Sequence, residues 1–352
     1  MRACPEARRC QQPARASGYA ARVGCLTPPL MPPALSLASS ENQERRSTMP
    51  RPNTNRPDVY TTITDQIVGL LETGVKPWTQ PWHAAHAAGP VSRPLRHNGE
   101  AYSGINTLIL WCFAIERGHS APIWMTYQQA RALGAHVRKG ETSAPVVYAG
   151  AITNTETDQA TGEETESTRR FLKSYRVFNV DQIEGLPAHY YAKAEPRAST
   201  PERIAHADAF FAATGAEIRH GGSSAFYSPG QDYVQMPDLE TFDTAEDYYA
   251  TLGHECTHWT RHKSRLDRSF GRERYGDEGY AQEELVAELG AAFLCADLGL
   301  TLKDREDHAA YIGSWLKVLK NDKRAIFTAA AHAQRAADFL HSKQPVGAEA
   351  AA

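Results

Sequence analysis

The chain has 352 residues, a hydrophobic content of 41%, a charged content of 22% and a formal net charge of −3. These values predict an ordinary soluble protein of about two domains, and they exclude a whole-chain charge signature of nucleic-acid binding, so any such surface must be local. No apolar run approaches the ~20 residues of a membrane span, and six cysteines in a chain of this length do not make a disulfide framework. We therefore expect a protein of the reducing cytoplasm with no membrane partner.

The first 48 residues differ in composition from the rest of the chain. They are rich in Arg, Pro, Ala and Ser and hold three of the six cysteines. Four prolines interrupt the stretch from Leu26 to Leu37, which excludes the apolar core of a signal peptide. We predict a disordered tail over residues 1–54, with Met49 as a plausible alternative start, and a second disordered tail over residues 343–352.

Residues 55–185 show the pattern of a small α+β domain. An amphipathic helix begins at Asp58 and stops at Gly74, and two further helices follow a loop that is rich in Pro and Trp. Residues 144–152 and 171–180 alternate like strands. The acidic, Thr-rich residues 154–167 between them are predicted to form a long hairpin loop.

Aromatic and basic side chains are interleaved in this first domain, where four of the six tryptophans lie between positions 78 and 124. Exposed rings stack on unpaired bases and cations meet phosphates, so this composition suits single-stranded nucleic acid. The alternative is that the rings form the core, which is the commoner role of Trp and Tyr in a small domain. The candidate DNA-binding residues are Lys76, Trp78, Trp82, Arg93, Arg96, Tyr102, Asn106, Trp124, Arg138 and Lys139.

The second half begins after a predicted linker over residues 186–199. Thr200-Pro201-Glu202 starts a helix with Pro at its first position, and short strands follow around Pro229-Gly230. Thr244 then opens a further helix as its N-cap, with acidic residues in the first turn.

That helix carries His254-Glu255-Cys256-Thr257-His258, which has the pattern H-E-x-x-H. Residues four apart lie on one helix face, so both imidazoles can reach one metal ion. Glu255 lies beside the first ligand, where a general base can take the proton of a water that the metal activates. A surface helix with two solvated histidines is the alternative, and the capping pattern argues against it.

A catalytic zinc ion takes a third protein ligand besides water. His262 lies about 12 Å along the helix axis from His254, which is too far. A second helix is predicted over residues 278–298, ending at Gly299. We predict Glu284 as the third ligand and Glu288 as the carboxylate that orients a ligand histidine. Glu283 is the competing ligand, and a solvated acidic face is the alternative for all three glutamates.

Both halves resemble known proteins. The Glu284–Glu288 pattern after H-E-x-x-H is similar to that of gluzincin-like metallopeptidases, with Glu288 where Asp is commoner. Five segments resemble the N-terminal domain of ArdC-type antirestriction proteins, a domain that also occurs in plasmid-encoded primases. They are Asp58-Val59-Tyr60, Lys76-Pro77-Trp78, Pro81-Trp82, Tyr102–Asn106 and Val137–Glu141. Residues 252–266, 280–293 and 311–327 are similar to the metallopeptidase domain of the same family.

This resemblance covers residues 55–342 and implies the organisation of the chain. The expected fold class is α+β, with a single-stranded-DNA-binding domain at residues 55–185 and a mostly helical, zincin-like domain with a small antiparallel sheet at residues 200–342. Zinc is the expected cofactor, although another divalent metal can take the same ligands. The family is associated with mobile elements and with the protection of incoming DNA from restriction.

The expected activity is peptide hydrolysis with Glu255 as the base. Tyr311 and His308 are the candidate oxyanion donors, and Asp232–Met236 is predicted to be an edge strand that holds the substrate backbone. The expected partners are single-stranded DNA and a protein substrate such as a restriction enzyme. Two alternatives remain: a DNA-shielding protein with a structural or vestigial metal site, and a phosphodiester hydrolase, which would favour clustered acids over a His-Glu-His site.

Overall fold

The computed structural model describes residues 58–78, 93–157, 164–191, 200–271, 277–300 and 309–345. The predicted tail over residues 1–54, Trp82 and His308 lie outside these ranges. In chain order the elements of the first half are α1 (Val59–Glu72), β1 (Leu95–Arg96), α2 (Ile105–Arg117), β2 (Ile123–Met125), α3 (Tyr127–Ala132), β3 (His136–Val137), β4 (Ala144–Thr157), β5 (Glu164–Asn179) and β6 (Ile183–Glu184).

The main sheet of the first half has the strand order β1-β2-β5-β4, in which β1 and β2 are parallel and the other pairs are antiparallel. The β4–β5 pairing continues outward until Thr157 lies opposite Glu164. The predicted hairpin loop over residues 154–167 is therefore wrong at both ends. Threonine-rich segments favour extended backbone because β-branched side chains pack well on a pleated surface, and the hydroxyls of Thr153 and Thr168 lie 3.2 Å apart across the two strands.

The second half contains mostly helices and one small sheet. Its elements are α4 (Thr200–Ala213), β7 (Glu217–His220), β8 (Phe226–Ser228), β9 (Tyr233–Met236), α5 (Ala245–Trp259), α6 (Glu278–Leu298), α7 (Ala309–Asn321) and α8 (Ala325–His341). The predicted α+β fold class is confirmed. The small sheet is mixed, where an antiparallel sheet was predicted, because β9 pairs in parallel with β7 and antiparallel with β8.

One core joins the two halves. Residues from Arg56 onward form a single compact unit, and one cluster of buried apolar side chains includes Ile63 and Ile67 of α1 together with Leu289 of α6 and Ala333 of α8. Polar contacts add to this core, since the Thr64 hydroxyl donates to the backbone carbonyl of Lys323 at 2.7 Å. None of the described helices combines the length and the apolar character that crossing a lipid bilayer requires.

Helices α5 and α6 pack unusually close together at Gly290. A Cβ atom at Gly290 would lie 2.5 Å from the Thr257 Oγ1 atom, so only glycine allows this approach. The Thr257 hydroxyl is fully buried there and donates to the carbonyl of Gly253 at 2.8 Å. The close crossing brings the histidine-bearing face of α5 onto the glutamate-bearing face of α6.

Candidate metal centre

Three side chains from α5 and α6 meet at the crossing of the two helices. The Nε2 atoms of His254 and His258 lie 3.2 Å apart. Glu284 places one carboxylate oxygen 3.5 Å from His254 Nε2 and the other 3.6 Å from His258 Nε2. Donor atoms bound at ~2.1 Å to a tetrahedral ion lie about 3.4 Å apart. The three predicted ligands therefore form a triangle of the size that a tetrahedral divalent ion requires, and among the described residues they form the one such group.

Two further glutamates lie behind the two histidines. Glu283 accepts a hydrogen bond from His258 Nδ1 at 3.0 Å, and Glu288 lies 3.8 Å from His254 Nδ1. Glu288 therefore lies on the Nδ1 side of His254, and its role as an orienting carboxylate stays a prediction. Glu283 was predicted as the competing ligand, but it faces the far nitrogen of His258 and its two oxygens accept hydrogen bonds from Arg268, each at 2.8 Å. Its position is that of a second orienting carboxylate, which the sequence analysis missed.

The charges at this centre raise the pKa of His258 and lower the pKa of Glu283 and Glu284. Burial alone would lower the pKa of His258, but hydrogen bonds with Glu283 and Glu284 and their negative charges raise it to about 10. Burial alone would raise the pKa of Glu283, but Arg268 and His258 lower it to about 2. The pKa of Glu284 also falls below its usual range, because both histidines outweigh the effect of burial.

The first half of the chain reaches this centre through Glu288. The indole Nε1 of Trp78 donates to Glu288 at 3.3 Å, and the ammonium group of Lys76 lies 3.8 Å from the same oxygen. Trp78 is 1% exposed and Lys76 is 4% exposed. Both were predicted to contact DNA, and their burial corrects that prediction because no ring face or ammonium group is open to a strand.

The other candidate DNA-binding residues divide into buried and exposed groups. Arg93 is bound by both oxygens of Asp297, at 2.7 and 2.8 Å, and Asn106 exchanges two hydrogen bonds with the backbone of Val147 in β4. With the buried rings of Tyr102 and Trp124, these side chains hold the fold together, so their predicted DNA contacts are also corrected. Three candidates remain exposed: Arg96, Arg138 and Lys139.

A cleft of about 610 Å³ opens in front of the three ligands. Glu255 lines it and is 7% exposed, beside His254, His258 and Glu284. Its carboxylate thus belongs to the wall that a molecule in the cleft would meet, as a general base requires.

Two tyrosines of the cleft wall lie side by side. The hydroxyls of Tyr280 and Tyr311 lie 3.2 Å apart. Tyr311 was predicted as an oxyanion donor. Tyr280 was missed, although it precedes Glu284 by four residues and so shares its helix face. Burial, the hydrogen bond with Tyr311 and the charge of Glu284 raise the pKa of Tyr280, which keeps its proton available for donation.

Strand β8 supplies another part of the wall. Phe226 and Tyr227 of β8 line the cleft, together with the flanking Ala225 and Pro229. The prediction that Asp232–Met236 forms the edge strand is wrong, because β9 is hydrogen-bonded on both sides, to β7 and to β8. The edge of this sheet on the cleft side is β8.

Comparison with known proteins gives matches to both halves. Residues 57–178 match the family model of the N-terminal domain of the anti-restriction factor ArdC, and residues 205–332 match that of a zincin-like metallopeptidase. The crystal structure of the metal-free antirestriction protein ArdC from plasmid R388 has a TM-score of 0.67 at 49% identity, covering 81% of this chain and 97% of that one. The Mn(II)-bound structure has a TM-score of 0.65 at 46% identity, with coverages of 81% and 98%.

Curated relatives extend these matches. Uncharacterized protein y4eC of Sinorhizobium fredii is 43% identical over 291 residues, which cover 82% of this chain and 92% of the relative. A DNA primase TraC of Escherichia coli is 39% identical over 295 residues, which cover 79% of this chain and 26% of the primase. The chain therefore spans only about a quarter of that primase's length.

Proposed function

Because the chain belongs to the family of ArdC-type antirestriction proteins, we propose that it protects the DNA of a mobile element by binding single-stranded DNA and cleaving a protein at its metal centre. The observation that carries this proposal is the triangle of His254, His258 and Glu284 at the base of an open cleft whose wall contains Glu255. This role would be carried out in the cytoplasm, where incoming DNA meets restriction enzymes.

The donor set fits a divalent metal. Two imidazole nitrogens and one carboxylate suit zinc, and the Mn(II)-bound relative supports manganese as a second candidate. When bound, such an ion would lower the pKa of a water molecule and polarise a peptide carbonyl. Glu283 and Glu288 would fix the ring orientation of the two histidines from behind.

Side chains and backbone of the cleft wall would supply the other groups that the reaction needs. Glu255 would accept the proton of the attacking water and pass it to the leaving amine. The hydroxyls of Tyr280 and Tyr311 would donate hydrogen bonds to the carbonyl oxygen as its negative charge grows. The free edge of β8 would pair with an extended substrate segment, in the place that the sequence analysis gave to β9.

The test compares the wild type with Glu255→Gln on a mixed panel of proteins, including the protein itself. Each is assayed with zinc or manganese, and with or without single-stranded DNA. We expect cleavage by the wild type only, and a loss of about 100-fold or more in Glu255→Gln, with unchanged metal and DNA binding. Glu240→Gln is the control, since this exposed glutamate lies outside the cleft.

Two other outcomes would change the proposal. Equal cleavage by the wild type and Glu255→Gln would remove Glu255 from the role of base. No cleavage by either protein, with tight binding of single-stranded DNA by both, would support the alternative of a DNA-shielding protein whose metal site is structural or vestigial.

A further inference from the structure

A second, shallow cavity of about 300 Å³ lies between α1 and α8. We propose that it binds a short run of single-stranded DNA, with phosphates at Arg324 and Arg335 and an unpaired base against Tyr60 and Phe327. This inference rests on the proposed binding of single-stranded DNA and names a surface for it. The residues that line the cavity are Tyr60, Arg324, Phe327, Thr328, Ala331, His332 and Arg335.

Arg324, the N-cap of α8, and the lining residues of α8 form one stripe along the helix. They recur at intervals of three and four residues from Arg324 to Arg335, which places them on one face. At 1.5 Å per residue the two arginines are about 16 Å apart along the axis. A single phosphate cannot bridge that distance, so each guanidinium would meet a different phosphate of one strand.

The two guanidinium groups are open to solvent. Both arginines are exposed, and no ion pair joins either of them to a carboxylate of the described residues; the carboxylate of Asp322 accepts the backbone N–H of Arg324 at 2.8 Å. Arg324 lies over the Tyr60 ring, 4.9 Å from its centroid, and Arg335 donates to His332 Nδ1 at 2.8 Å. These contacts leave further N–H donors on both guanidinium groups, and the planar guanidinium group matches the geometry of a phosphate.

His332 adds an uncharged hydrogen-bonding group to this stripe. Burial and the nearby charge of Arg335 lower the pKa of His332 to about 4, so the ring is neutral at pH 7 and its Nδ1 accepts a hydrogen bond from the Arg335 guanidinium. The contact holds the guanidinium of Arg335 over the cavity.

Two partly buried rings provide the base-stacking part of the site. Tyr60 and Phe327 pack with their ring centroids 4.6 Å apart at an angle of 60°. Single-stranded DNA is recognised by this combination of an aromatic surface with cations along the backbone path. Trp78 and Trp124, the rings first expected to stack on DNA, are buried, whereas this cavity is open and includes Tyr60 from the same half of the chain.

The test measures binding of a fluorescent oligothymidine by anisotropy over a range of salt concentrations. In Arg324→Gln/Arg335→Gln we expect at least a tenfold loss of affinity at low salt. The slope of log K against log salt should become shallower by about 1.4, because two phosphate contacts are lost at ~0.7 each. Tyr60→Leu should weaken binding without changing that slope.

The control is Arg117→Gln/Arg131→Gln, which removes two exposed arginines from α2 and α3. It changes the net charge equally and should retain most of the affinity. All variants are checked for an unchanged unfolding temperature. A matched duplex tests the stacking contribution, since paired bases cannot reach the rings.

Each outcome decides the inference. Wild-type binding with an unchanged affinity and slope in Arg324→Gln/Arg335→Gln overturns the cavity but leaves DNA binding in place. An equal loss in the control pair overturns it as well, because the effect would then follow net charge alone. If Tyr60→Leu loses the same affinity for single-stranded DNA as for the matched duplex, the proposed contact between a base and the rings is overturned. No wild-type binding at low salt overturns both the cavity and the proposed DNA binding.

Discussion

Each histidine of the candidate metal centre has a glutamate behind it, and each of these glutamates lies beside a cation from another part of the chain. Glu283 behind His258 is bound by Arg268, and Glu288 behind His254 lies beside Lys76. Sequence spacing predicted that Glu284 and Glu288 share one face of a helix. It could not assign Glu283, because the side of α6 that meets each histidine depends on how two helices cross.

Glu283→Gln is expected to weaken metal binding by about 10–100-fold. The neutral amide no longer fixes the His258 ring as a carboxylate does, and it leaves Arg268 buried beside an uncharged partner. Competition with a chromogenic chelator measures the affinity. Glu278→Gln makes the same change on an exposed turn of the same helix and should leave the affinity unchanged; equal losses in the two variants would contradict an orienting role.

Metal binding at pH 7 is expected to release about one proton from His258. The folded metal-free protein holds this proton because the pKa of His258 is raised to about 10, whereas the metal needs the deprotonated ring. The apparent affinity should therefore rise with pH until about pH 10. Titration calorimetry in buffers with different ionisation enthalpies counts the protons, and a count of zero at pH 7 would refute the prediction.

Among the secondary-structure elements, the sequence signals for helix ends were reliable, whereas the pairing of strands was not predicted correctly. The bounds of α6 agree with the prediction because Gly299 adopts the left-handed conformation that ends a helix, and Thr244 caps α5 as expected. The position of β9 within its sheet was mispredicted because strand order depends on contacts between segments distant in sequence. The same limit applies to the close crossing of α5 and α6, because the sequence around Gly290 does not show which residue of another helix it meets.

Gly290→Ala is expected to destabilise the protein by roughly 1–3 kcal/mol, because the added methyl group would press on Thr257 and force the two helices apart. Metal affinity should fall as well, since the ligands come from both helices. Chemical denaturation and chelator competition measure the two effects. Thr257→Ala in the same chain removes the clashing atoms and should restore part of both losses.

The control is Gly313→Ala in α7, where no atom lies within 4 Å of the added Cβ. This change should stabilise the protein by about 0.5–1 kcal/mol, because alanine has the higher helix propensity. A stabilising effect of Gly290→Ala as well would show that the helices are not in contact at that point.

For the whole molecule, the shared core explains most of the mispredicted DNA contacts. Composition identifies aromatic and basic residues but does not tell an outer surface from an interior that two halves of a chain build together. Trp78 and Lys76 therefore contact Glu288 behind the candidate metal centre, and Arg93 forms an ion pair with Asp297 of α6. The remaining exposed candidates, Arg96, Arg138 and Lys139, stay predictions.

A fragment of residues 200–345 is expected not to fold cooperatively on its own. It lacks α1 and α2, which pack against α7 and α8, so apolar surface that the whole protein buries would face water. It also lacks Lys76 and Trp78 beside Glu288. Circular dichroism during thermal unfolding, compared with residues 58–345, is the measurement. A sharp transition with metal affinity equal to that of the longer chain would contradict the expectation.

The shared core also has a consequence for inheritance. A recombination event that joined either half to an unrelated partner would expose one side of the core and remove the groups that hold Glu288 in place. Natural selection would then favour exchange of the whole segment between replicons. The two halves are therefore expected to occur together, in the same order, when this segment forms part of a longer polypeptide.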